Sequence, residues 1–91
     1  SPPDLLVYEP SDGFQTAQAR VTVSGHAEDG SRVTINGLDV LLSQNGSFET
    51  DVALERGLNV ILIESTKRHS RPATEYRRVV LKQDGSISFT N

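Results

Sequence analysis

The chain has 91 residues with no Cys, Met or Trp, carries a net charge of −3 and holds 35% hydrophobic residues. That length fits one domain with a single modest core, and the missing cysteines exclude a disulfide framework or a thiolate metal site. No apolar run reaches the roughly 18 residues that a membrane-spanning helix needs, and no charged-then-apolar leader is present, so direct membrane insertion is not expected.

Taken in chain order, Ser1-Pro2-Pro3 is a stiff extended lead-in, because Pro-Pro favours polyproline geometry and cannot enter a paired central strand. Leu5-Leu6-Val7-Tyr8 reads as a short strand ended by Glu9-Pro10 and the turn Ser11-Asp12-Gly13, with Phe14-Gln15-Thr16 resuming on the opposite sheet. Arg20 to Gly25 alternates, Val21 and Val23 facing one way and Arg20, Thr22 and Ser24 the other, the mark of a half-buried strand. Glu28-Asp29-Gly30 turns the chain into Arg32–Ile35, with Val33 and Ile35 inward.

Asn36-Gly37 and Asn45-Gly46 are the strongest turn signals in the chain. Asn and Gly reach positive φ cheaply, and tight hairpins that match strand twist demand it. Both pairs are therefore expected to close hairpins, the first leading into Leu38–Leu42 and the second into Phe48, Val52 and Leu54 at even spacing. Gly57 turns the chain again into Leu58–Ile63, apolar on both faces and read as a central strand. On it Asn59 shares the inward face with Ile61 and Ile63, where its amide is expected to bond unpaired backbone groups. The other face, Val60 and Leu62, becomes an exposed patch unless something covers it. A polar loop at Lys67–Thr74 precedes a strand at Tyr76–Leu81, whose inward side is open between Val80 and the pair Val79 and Leu81.

These elements predict an all-β chain, an immunoglobulin-like antiparallel β-sandwich of about seven strands. Residues 1–4 form the lead-in, 5–83 the domain, and 84–91 a tail or the start of a following domain, in which Ile87 and Phe89 alternate. The expected core is Val21, Val23, Val33, Ile35, Phe48, Val52, Ile61 and Ile63. A chain that begins at Ser1 without Met is expected to be a piece of a longer protein or a processed product.

Candidate chemistry is sparse. His26 and His69 are far apart, with no nucleophile and base placed together by spacing, so no catalytic residues and no enzyme activity are expected. Asp12-Gly13 and Glu28-Asp29-Gly30 carry hard oxygen ligands, but calcium takes six to eight oxygens and no Asp-x-Asp-x-Asp-Gly loop exists. No metal or cofactor is therefore assigned. Sugar platforms need exposed aromatic faces, and the five rings are Tyr8, Phe14, Phe48, Tyr76 and Phe89. Phe48 fits a core slot, and Tyr8 and Tyr76 are expected as buried rings with wet hydroxyls.

Charge placement gives the sharpest candidate. Residues 1–66 hold ten acids against three bases, a sum of −7, and residues 67–91 hold six bases against two acids, a sum of +4. Lys67, Arg68, Arg71, Arg77 and Arg78 are the candidate binding patch for an anionic glycan or an acidic partner, since the guanidinium fork suits carboxylate and phosphate. The alternative is that these charges only solubilise an edge and answer the acidic strands. No aromatic residues interleave the bases, so nucleic acid is not an expected partner.

The run Gly25, Val33-Thr34-Ile35-Asn36-Gly37, Val40, Asn45-Gly46-Ser47-Phe48, Val52, Leu54, Gly57-Leu58-Asn59, Ile61 and Ile63 resembles bacterial immunoglobulin-like modules related to domain B of glucodextranase, over roughly residues 7–82. The opening Pro10-Ser11-Asp12-Gly13 is similar to that family's first turn. The resemblance implies a non-catalytic spacer, docking or protein-interaction unit in a secreted or surface-attached bacterial protein. Localisation is then extracellular or in the cell envelope, and partners are neighbouring domains, another protein or an anionic cell-surface glycan. One departure stands out: where the family continues with Ala, a spacer, Asp and a Gly-containing turn, this chain has Ser65, then Lys67-Arg68-His69-Ser70-Arg71.

Overall fold

A computed structural model describes residues 1–83, and the expected tail strand around Ile87 and Phe89 lies outside them. The described chain is all β. Its strands are β1 (Leu5–Glu9), β2 (Phe14–Thr16), β3 (Arg20–Ala27), β4 (Arg32–Ile35), β5 (Leu38–Val40), β6 (Ser47–Ala53), β7 (Gly57–Thr66) and β8 (Ala73–Leu81). They form two sheets packed as an immunoglobulin-like sandwich, with orders β1-β3-β6 and β2-β8-β7-β4-β5.

Period-2 alternation builds the core between the sheets. Val21, Val23 and Ala27 of β3 and Phe48 of β6 meet Val33 and Ile35 of β4, Ile61 and Ile63 of β7 and Val79 of β8. Val23, Val33, Ile63 and Val79 are fully buried, each contributing on the order of 1.5–3 kcal/mol of transfer free energy. Val52 is only half-buried and packs against this cluster from the edge strand β6. The inward side of β8 is that of Val79, which stands opposite Asn59.

Eight strands stand where about seven are expected, and the sandwich is mixed rather than wholly antiparallel. After β1 the chain crosses to the other sheet, and β2 runs parallel to β8, with Phe14 opposite Val79 and Thr16 opposite Leu81. The turn Ser11–Gly13 fixes this crossing: Gly13 N donates to Arg78 O at 2.7 Å, and Arg78 N donates to Asp12 Oδ1 at 2.7 Å.

A second difference concerns the Asn-Gly pairs. Asn36-Gly37, both at positive φ, makes the two-residue hairpin from β4 to β5. Asn45-Gly46 instead carries the chain from β5 in one sheet to β6 in the other, and Asn45 does not take positive φ. Here Gly46 N donates to Ser43 O, and the Asn45 carboxamide oxygen accepts from Ser43 Oγ and Ser47 N, an Asx-type corner. Turn chemistry specified the reversal but not the sheet in which the next strand pairs.

The two poles of the sandwich are closed by polar contacts. At one pole Glu28 accepts from Lys67 Nζ at 2.6 Å and from Asp4 N at 3.0 Å, and Glu28 N donates to Asp4 O. At the other, Asn59 Oδ1 accepts from Glu55 N, and Asn59 Nδ2 donates to the carbonyls of Glu55, Gly57 and Val79. Ser65, on the inward side of β7, is fully buried and its hydroxyl has no partner among the described residues.

Candidate functional site

The five basic residues of the candidate patch do not form one surface. Arg77 and Arg78 are neighbours on β8, so their side chains leave opposite faces of the sheet. Arg77 points between the sheets, its side chain 18% exposed. Its Nε donates to Pro10 O at 3.0 Å, its Nη2 to Val7 O at 3.3 Å, and its Nη1 to Glu75 Oε1 at 2.8 Å. It ties the β1 edge of one sheet to β8 of the other.

Arg78 points outward and grips Asp12 with two contacts, Nη2 to Oδ2 at 2.6 Å and Nε to Oδ1 at 3.2 Å. The Arg78 side chain, then its backbone amide, hold the Asp12 carboxyl down to about 2 from its ordinary 3.8. Lys67 is paired with Glu28, whose bond raises the lysine pKa and lowers that of the acid.

Of the five, Arg68 and Arg71 remain exposed without an ion-pair partner among the described residues. They sit in the six-residue connection 67–72, which is tighter than a long open loop: Ser70 N donates to Lys67 O, and His69 takes φ 63, the conformation that glycine usually supplies. The carboxylates at Asp12 and Glu28, hard-ligand candidates by type, are engaged by Arg78 and Lys67. Among the described residues no three His, Asp or Glu side chains converge as a metal site.

Two further surfaces come from the outward faces of the sheets. On the five-stranded sheet Leu58, Val60 and Tyr76 are 62%, 53% and 60% exposed, beside half-buried Leu62 and Val80. Tyr76 therefore corrects the expectation of a buried ring: it stands opposite Leu62 on the outward side of β8, and no layer of the described chain lies over that side.

Tyr8 departs from expectation in the same sense. The β1–β3 register jumps between Val7, opposite Gly25, and Glu9, opposite Ser24, leaving Tyr8 as the extra residue of a bulge and 65% exposed. Alternation along β1 places Tyr8 on the outward side with exposed Leu6, and the bulge brings the next residue, Glu9, opposite Ser24. Beside Tyr8 a cleft of about 440 Å³ is lined by Ser24, Leu41, Ser43, Ser47 and Glu49.

The model of the family described as glucodextranase, domain B, matches residues 3–83. The chain belongs to that family, whose namesake is an accessory domain of a larger enzyme. No individual curated protein matches the chain.

Proposed function

We propose that this member of the glucodextranase domain B family is a non-catalytic, in-line spacer that positions neighbouring domains of a larger secreted or cell-surface bacterial protein. The observation that carries this reading is the route of the backbone. The chain enters the sandwich at Asp4, on the pole where Glu28 and Lys67 meet, and leaves it at Leu81–Lys82, on the pole closed by Asn59. β8 alone spans nine residues between these poles, roughly 30 Å at about 3.3 Å per residue. Segments joined to the two ends are thereby held apart rather than brought side by side.

The links between sheets support rigidity in that role. Arg77 bonds β8 to the β1 edge and the turn after it, and the fully buried core between the sheets is apolar apart from Ser65. The test is a fusion of the domain between a donor and an acceptor fluorescent protein, compared with a Gly/Ser linker of equal length. A transfer efficiency unchanged by salt and by glycerol, and distinct from that of the flexible control, is the expected result. An efficiency that tracks the flexible control refutes the spacer. A polyanion titration read at residues 67–78 addresses the alternative role: saturable amide shifts that survive physiological salt would make the end loop with Arg68 and Arg71 a binding site instead.

A further inference from the structure

We propose that the outward face of the three-stranded sheet is a binding trough for a neutral oligosaccharide, with the exposed ring of Tyr8 as its stacking platform and Glu49 as its principal hydrogen-bond acceptor. This goes beyond the positioning role and does not depend on it.

The trough follows from sheet order. β1 carries Tyr8 at one side, β3 contributes Ser24 in the middle, and β6 contributes Ser47 and Glu49. Beyond β6 the corner that ends β5 returns along it, held by Ser43 N donating to Ser47 O at 2.8 Å, and presents Leu41 at 93% exposure. Two apolar walls, Tyr8 and Leu41, thus flank a floor of hydroxyls and one carboxylate. The trough is open to solvent, and its volume of about 440 Å³ lies within the roughly 300–1,000 Å³ of small-molecule clefts.

Each lining group has the chemistry a pyranose needs. A sugar ring has apolar C–H faces and a rim of hydroxyls, so it is complementary to an aromatic face beside fixed acceptors and donors. Neither the Tyr8 hydroxyl nor the Glu49 carboxylate has a hydrogen-bond or ion-pair partner among the described residues. The floor, by contrast, is pre-organised: Ser43 Oγ and Ser47 Oγ are 2.6 Å apart, and Ser24 Oγ donates to Glu9 Oε1 at 3.1 Å. Ordered hydroxyls lose little freedom when a ligand bonds them. The unpaired charge of Glu49, with Glu9 close by, selects against anionic sugars and for neutral ones whose hydroxyls donate. Alternation along β1 sends Tyr8, with Leu6, to this face, and the bulge after Val7 brings Glu9 opposite Ser24 beside it.

The experiment is an amide chemical-shift titration of the domain with maltotetraose, cellotetraose and laminaritetraose as neutral probes and tetragalacturonate as the anionic one. At least one neutral probe is expected to give saturable shifts at residues 8, 24 and 41–49, with a Kd on the order of 0.1–1 mM. Tyr8→Ala is expected to weaken that binding about tenfold, and Leu41→Ala and Glu49→Gln roughly threefold each. All three side chains lie on the open face, so an otherwise unchanged spectrum of each variant verifies the fold. The proposal is overturned if no neutral probe gives saturable shifts up to roughly 10 mM. It is equally overturned if the shifts fall outside the trough, if Tyr8→Ala leaves binding intact, or if tetragalacturonate binds there as well as the neutral probes.

Discussion

The connections within one sheet and the connections between the two sheets are built from the same residues, yet they carry different loads. Asn36-Gly37 turns the chain inside the five-stranded sheet, where Asn36 Oδ1 accepts from Leu62 N at 2.9 Å and the glycine faces open space. Asn45-Gly46 sits where the chain passes between sheets, and Gly46 lies so close to β3 that a Cβ there would meet Ala27 O at 2.5 Å and the His26 ring at 2.9 Å. The Arg78 guanidinium is the exposed case: it grips Asp12 in solvent at a crossing turn that the Arg78 backbone already holds. Arg77 is the inward case, reaching carbonyls of Val7 and Pro10 across the interior. Identical chemistry acts as surface trim in one place and as a joint in the other, because sheet parity and crossing points decide which groups water can replace.

The largest effect that would break this contrast is expected at the glycines. Both have positive φ, so alanine costs about 1 kcal/mol at Gly37 from backbone strain alone. At Gly46 the same strain adds to a clash with backbone, for about 3 kcal/mol in all. Urea unfolding midpoints of the two variants measure the difference, and equal shifts would mean that the crossing corner is no tighter than the hairpin.

Next comes the arginine pair. Arg77→Ala leaves two inter-sheet carbonyls without their donor and is expected to cost about 2 kcal/mol, whereas Arg78→Ala should leave the midpoint close to that of the parent because its ion pair is solvated. A smaller effect of opposite sign is expected at Ser65. Ser65→Ala removes a buried hydroxyl that has no partner among the described residues and should stabilise the domain by about 1 kcal/mol. A loss of stability would show that this hydroxyl is bonded after all.

The smallest effect concerns acid. Because the folded Asp12 carboxyl is held down at about 2 against an ordinary 3.8, its contribution is complete above the ordinary value and disappears as pH falls through about 2. Melting temperatures followed from pH 5 down to about 2 should therefore fall less steeply for Asp12→Asn than for the parent. Parallel curves would place the acid sensitivity at other carboxylates, such as Glu28 or Asp39, which are depressed in the same direction by Lys67 and Arg32.

The same contrast explains what could be read from the residues alone. Alternation at Val21/Val23, Val33/Ile35 and Ile61/Ile63 gives the core directly, since period 2 is local and each pair faces the other sheet. Family resemblance through Gly57-Leu58-Asn59 and the Asn-Gly pairs carries the architecture. Where the chain changes sheet is not local information. The corner at Asn45, the parallel pairing of β2 and the inward turn of Arg77 depend on which strand lies alongside, and a run of bases at 67–78 looks like one patch until β8 sends alternate residues to opposite faces. Tyr8 was missed for a different reason: alternation along Leu5–Tyr8 already sends it outward with Leu6, and a buried ring was expected only because a strand tyrosine is commonly buried.

The most direct test of the in-line spacer is a distance. Spin labels at Asp4→Cys and Lys82→Cys, both exposed positions at opposite poles, are to be measured by double electron–electron resonance. The account predicts a single narrow distribution centred at roughly 30 Å, set by the length of the strands between the poles. A broad distribution, or a narrow one well below 20 Å or so, would contradict it, because the module would then bring its two ends together or fail to hold them apart.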